Sequence, residues 1–188
     1  MSAGMMTLTP SDYLHRRVAC IGEREFALIE KLGPKRAWET WKRGDHLLWL
    51  ADGLELDQKL LMTAACECGE RTLRFVNGEL LTTLEGVYAV VRSWLAGEAS
   101  DGEMNAASDT VVFAIYSATG TAELIALRSA DALTRQDPAS AAGWNGERVR
   151  IPRVADWKNE HRACADIVRK HIPWGMIEAA LIKAGVVV

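Results

Sequence analysis

The feature that most constrains this chain is the recurrence of helix stop and start signals along nearly its whole length, with stripes of apolar residues between them. Gly33-Pro34, Gly44-Asp45, Gly53, Asn77-Gly78, Gly97, Gly120, Pro173 and Gly185 punctuate the sequence, each a residue type that ends a helix or starts the next. Beginning at Asp57, which can cap a helix, Leu60, Leu61, Ala64, Ala65, Cys68, Thr72 and Phe75 or Val76 return at helical spacing. The pairs Thr82/Glu85 and Ser100/Glu103 both have the capping-box form. After the first run Leu84, Val87, Tyr88, Val91 and Leu95; after the second, Met104, Ala107, Val111, Ala114 or Ile115 and Ala118. Beyond Gly120 the stripe resumes through Ala122, Ile125, Ala126, Ser129 and Leu133.

Further helices are expected from Pro34 through Trp38 and Trp41 to Gly44, from His46 to Ala51 with Asp45 as N-cap, from Ala155 to Ile172, and from Pro173 to Ala184. Residues Pro10 to Leu32 read as one or two short helices broken near Gly22, and Val186 to Val188 as an apolar end that docks or forms a single β-bridge. Val111-Val112-Phe113-Ala114-Ile115 has strand-like composition, but the capping box upstream and the lack of a hairpin partner favour helix. The fold class expected is therefore all-α, an irregular multi-helix bundle or helical array with one long loop. A chain of 188 residues fits one helical domain, 1–188, with a possible subdivision near the 137–153 loop.

Charge narrows the partners. The net charge is −3 and the pI about 5.8. That is too acidic for a protein whose main task is gripping phosphates and too weakly acidic for a mimic of nucleic acid. The basic pairs Arg16-Arg17, Lys35-Arg36 and Lys42-Arg43 read as solvated helix faces. With no secretory signal at the start and no apolar run long enough for a membrane span, a cytoplasmic protein is expected. Its four cysteines, Cys20, Cys66, Cys68 and Cys164, then read as reduced, buried structural thiols. Neither they nor His161 and His171, about 15 Å apart along one helix by its rise, have the spacing of a metal set, so neither metal nor cofactor is expected.

The run Ala37-Trp38-Glu39-Thr40-Trp41-Lys42-Arg43-Gly44-Asp45-His46-Leu47-Leu48-Trp49-Leu50 resembles a segment of the form A-W-x-x-C-x-R-G-D-W-M-L-W-L in uncharacterised proteins of bacteriophages, prophages and other bacterial genomes. Leu61 to Cys68 looks like the next helix of that family, and Cys164-Ala165-Asp166-Ile167-Val168-Arg169-Lys170-His171-Ile172-Pro173-Trp174 like its C-terminal signature. Such proteins are similar to immunity proteins of bacterial toxin systems. The middle of this chain departs from their alanine-rich helices. The resemblance implies an all-helical fold and carries no activity.

No Walker loop, Rossmann fingerprint, Gly-x-Ser-x-Gly elbow or His-Glu-x-x-His is present. Asp45-His46 reads as a helix cap beside a packing residue rather than an acid–base pair. Of the seven tryptophans, Trp38, Trp49, Trp94 and Trp157 lie on apolar faces and are expected in the core. Trp144 differs. It stands in a loop with Arg148, Arg150 and Arg153, a composition that partner-binding hot spots favour, although a loop packed on its own domain reads equally well. The function expected is non-enzymatic: a protein of phage or mobile-element type that blocks a bacterial protein or complex, as anti-CRISPR or toxin-immunity proteins do. An enzyme remains as the alternative if a deep pocket joins Asp45, His46, Glu67 or His161, and a nucleic-acid-binding accessory protein if binding depends steeply on salt.

Overall fold

A polypeptide with these punctuation marks has one economical way to bury its stripes, which is helix against helix. The computed structural model describes residue 9 and residues 23–138, 140–141 and 157–186, and among these almost all regular structure is helical and no strand occurs. In chain order the helices are α1 (Glu23–Leu32), α2 (Pro34–Thr40), α3 (Gly44–Gly53) and α4 (Gln58–Glu70), followed by a 3₁₀ turn (Arg71–Phe75). Then come α5 (Gly78–Ala96), α6 (Asp101–Ser117), α7 (Thr121–Thr134), α8 (Trp157–His171) and α9 (Trp174–Lys183). Val186 is buried and makes a single β-bridge.

The local signals act as their chemistry requires. Asp57 accepts the Leu60 N–H at 3.0 Å, and Ser100 and Glu103 exchange both bonds of a capping box. Gly97 ends α5 in the left-handed conformation, φ 79°, where a Cβ would be strained. The stripes face inward: Leu84, Val87, Tyr88 and Val91 of α5, Met104, Ala107 and Val111 of α6, and Ala126, Ser129 and Leu133 of α7 are all buried. One buried cluster runs from Ile29 in α1 to Val186. Helices α5, α6 and α7 pack on one another, while α8 lies across α3 and α4, and α9 lies against α2.

Four expectations are corrected. Helix α2 stops at Thr40, not Gly44, with Trp41 extended. Asp45 lies inside the first turn of α3 and does not cap it. Thr82 and Glu85 sit within α5, which starts at Gly78 because the earlier start lets Leu80 pack on the core. The stripe after Asp57 changes at Arg71 from α to 3₁₀ geometry, which tightens the last turn before the chain reverses. Of the long loop expected over 137–153, residues 138, 140 and 141 are helical, and Asp137 accepts the Ser140 N–H at 3.0 Å.

Candidate functional site

Three segments far apart in the chain, 37–50, 61–68 and 164–174, meet at the crossing of α8 with α3 and α4. Gly44 allows the closest approach: a Cβ there would stand 2.8 Å from the Cys164 backbone carbon and 3.0 Å from the Ala165 nitrogen, so any side chain would force the helices apart. Cys68 donates its S–H to the Cys164 carbonyl at 3.6 Å. Arg169 reaches from α8 to the end of α2, donating to the carbonyls of Trp38, at 2.8 Å, and Trp41. These two carbonyls at a helix C-terminus would otherwise lack a partner, and a guanidinium also suits the negative end of the helix dipole.

The polar residues of this crossing are mostly paired. Arg43 holds Asp45 in a fork, Nε to Oδ1 at 3.0 Å, and the Asp45 side chain is fully buried. His46 is buried between Trp41, met edge-on at 5.9 Å, and Trp49, stacked at 5.6 Å. Its Nε2 is 3.9 Å from Asp45 Oδ2. Glu160 accepts Arg71 at 2.9 and 3.1 Å and also Arg74. At the outer edge Glu67 accepts His171 at 2.7 Å and Lys170 at 3.0 Å. The His171 bond is the main cause that holds the Glu67 carboxyl below the usual range, against a smaller upward push from burial. Asp45 and His46 thus lie sealed in the interior, Glu67 lies on the surface in an ion pair, and His161 is buried at 6% exposure.

Two cavities accompany this region. A shallow groove of about 640 Å³ runs along Leu32 to Arg36, Glu39, Thr40, Trp174 and Glu178. Beneath it Ile29, Trp38, Leu50, Trp174 and Leu181 line an apolar pit with about 10 Å³ of free space. Neither is lined by Asp45, His46, Glu67 or His161. The three segments therefore serve here as the clamp that fixes α2, α3 and α4 on α8.

The cysteines follow the same logic. Cys66 faces Glu70 and Cys68 faces Cys164, as residues two apart on a helix must diverge. Burial, then the neighbouring Glu70, pushes the Cys66 thiol up to about 12. The contact with Cys164, then burial, raises the Cys68 thiol well above its ordinary value. With 5,5′-dithiobis(2-nitrobenzoate), Cys66, Cys68 and Cys164 should react about 100-fold more slowly in the native protein than in urea, because only opened chains expose a thiolate. Native-state labelling of any of the three at the free-thiol rate, read by mass spectrometry, would contradict this packing. Among the described residues no group of three or more His, Cys, Asp or Glu is placed to hold a metal ion.

On the other flank α6 presents a different surface. Asp101, Gly102, Glu103, Asn105, Ala106, Asp109, Thr110, Phe113, Tyr116 and Ser117 are its exposed positions. Phe113 is 78% and Tyr116 86% exposed. Leu124, in the first turn of α7 just across the linker, is 37% exposed. Asp109, Phe113 and Tyr116 stand at i, i+4 and i+7, so they share one face. Leaving two large rings in water forfeits roughly 1.5–3 kcal/mol apiece that burial would supply. Phe75, exposed at 44%, is by contrast partly covered by the Arg74 guanidinium, 4.6 Å from its ring centre.

The chain matches no protein-family model, no curated protein and no solved structure.

The residues first singled out for partner binding, Trp144, Arg148, Arg150 and Arg153, lie outside the described residues, and so does Cys20. Trp38 is buried as expected, while Trp49 and Trp94 are half-buried against the core. Sequence reasoning passed over Phe113 and Tyr116, although a signal existed. Both fall off the Met104–Ala107–Val111 stripe, and an aromatic off the buried stripe of a helix faces solvent unless another element covers it.

Proposed function

We propose that this protein acts by binding another protein, and that the exposed face of α6 carrying Phe113 and Tyr116 is part of the contact. The observation that carries the reading is the pair of aromatic rings standing almost fully in solvent on one helical face, since aromatic side chains concentrate the energy of protein interfaces. The burial of Asp45 and His46 and the pairing of Glu67 favour this reading over an enzyme assembled from those residues. That the partner is a bacterial protein blocked by this chain, in the manner of an anti-CRISPR or toxin-immunity protein, rests on the resemblance of residues 37–50, 61–68 and 164–174 to phage and prophage proteins. Trp144, Arg148, Arg150 and Arg153 are proposed as a second part of the contact, from their composition alone.

The test compares the parent with Phe113→Ala, Tyr116→Ala and Trp144→Ala as affinity baits in bacterial lysate, followed by calorimetry with the purified partner. Each α6 substitution should weaken binding by about 2 kcal/mol, roughly 30-fold. The melting temperature should stay within about 1 °C, because an exposed side chain contributes little to folding. Variants that bind as tightly as the parent, or that lose stability in step with binding, would remove α6 from the interface.

A further inference from the structure

We infer that the surface of α6 is built for a cationic protein partner, one that brings arginine or lysine side chains onto Phe113, Tyr116 and Asp109, on a helix whose other charges are also acidic. The inference rests on the binding role proposed above and goes further by assigning the chemistry of the partner. None of the chain's 22 lysines and arginines falls between Arg92 and Arg128, whereas Glu98, Asp101, Glu103, Asp109 and Glu123 all do. This stretch holds the whole of α6 and the first turn of α7.

Three of these acids have structural duties that do not remove their charge. Glu103 closes the capping box on Ser100, whose bonds hold its carboxyl below the usual range. Glu123 accepts the N–H groups of Thr119 and Gly120 at 3.3 and 3.1 Å. Asp101 accepts the Trp94 indole N–H at 2.8 Å, and Glu98, Asp101 and Asp109 are exposed. Asp109 is the one charged residue in the middle of the exposed face, one turn from Phe113.

An exposed aromatic ring beside a carboxylate suits a guanidinium or ammonium group in two ways. The ring face attracts the cation through its quadrupole, and the carboxylate pairs with it. The same arrangement disfavours other occupants. Nucleic acid and anionic lipid surfaces would bring negative charge onto a helix with no lysine or arginine of its own, Lys59 lying instead over the Trp94 ring at 5.4 Å. A second copy docked through the same face would bring a second acidic helix against this one, with no lysine or arginine on either helix to offset the charge. A basic protein surface is the occupant whose charge complements this one, and complementarity of that kind also speeds encounter.

The probes for the test are two 20-residue amphipathic helical peptides of the same apolar pattern, one with arginine and one with glutamate at the polar positions. Each is titrated into the ¹⁵N-labelled full chain. The arginine peptide should shift amides of residues 98–124, bind at least tenfold more weakly at 300 mM than at 25 mM salt, and lose at least tenfold in affinity with Asp109→Lys. The glutamate peptide should leave these amides in place. Equal shifts from both peptides, shifts centred elsewhere, or no shift on α6 would each overturn the inference. So would self-association of the parent in sedimentation that Tyr116→Ala abolishes, since the occupant would then be a second copy. The two readings fail separately. If the captured partner is lost with Tyr116→Ala but is indifferent to Asp109→Lys and to salt, α6 is the interface and the charge assignment is wrong. If neither substitution affects capture, the binding role of α6 falls as well.

Discussion

Trp38→Ala should lower the free energy of unfolding by about 3–5 kcal/mol, the range expected when a fully buried large aromatic is truncated. Trp38 is 1% exposed and touches residues on several elements, lining the pit formed with Ile29, Leu50, Ile177 and Leu181. Its removal would leave a hole where α2, α3 and α9 meet. A loss of that size is a large part of the roughly 5–15 kcal/mol that holds a typical domain together. For a chain of this length it corresponds to a fall of about 10 °C in Tm. Among the described residues the Trp38 indole N–H meets no hydrogen-bond partner, so the ring matters here for its volume and not for its polar atom. Trp38→Phe should therefore cost only about 1 kcal/mol. Urea denaturation of both variants measures the difference. A loss below about 1 kcal/mol for Trp38→Ala would mean that the site collapses around the smaller residue and that the clamp is looser than its packing indicates.

Arg43→Ala should be nearly as damaging, at about 2–3 kcal/mol, for an electrostatic reason. The Asp45 side chain has no solvent exposure and Arg43 about one third. Removing the guanidinium would leave a buried carboxylate without its ion-pair partner, a change that typically costs 3–5 kcal/mol in a closed interior. Solvent around Arg43 tempers that figure. Adding Asp45→Asn to Arg43→Ala should recover much of the loss, because an amide is far cheaper to keep buried than an unpaired charge. A double-mutant cycle in urea gives the coupling. If the two single losses simply add, Arg43 and Asp45 act independently and the fork contributes nothing to stability.

How far the molecule was legible before folding depended on the reach of each interaction. The sequence by itself determined the all-helical class, most helix boundaries and the buried stripes. These follow from contacts three or four residues apart: the Asp57 cap, the Ser100–Glu103 box, the left-handed Gly97, the recurrence of Leu84, Val87, Tyr88 and Val91. Such contacts are written in spacing, and no distant residue is needed to read them. What failed was decided from afar. Helix α2 ends at Thr40, where Arg169, more than a hundred residues on, takes the carbonyls of Trp38 and Trp41. Asp45 has the right residue type for a cap, but the fold buries it against Arg43 instead. The candidate site divides in the same way. The segments around Trp38, Cys68 and Arg169 were conspicuous in the sequence, yet only the tertiary structure brought them together as a clamp and left Asp45 and His46 inside it. Phe113 and Tyr116 lay off their stripe from the start, but whether a helical face meets water depends on which neighbours cover it. Here α5 and α7 cover one side of α6, and the two rings on the other side remain in solvent.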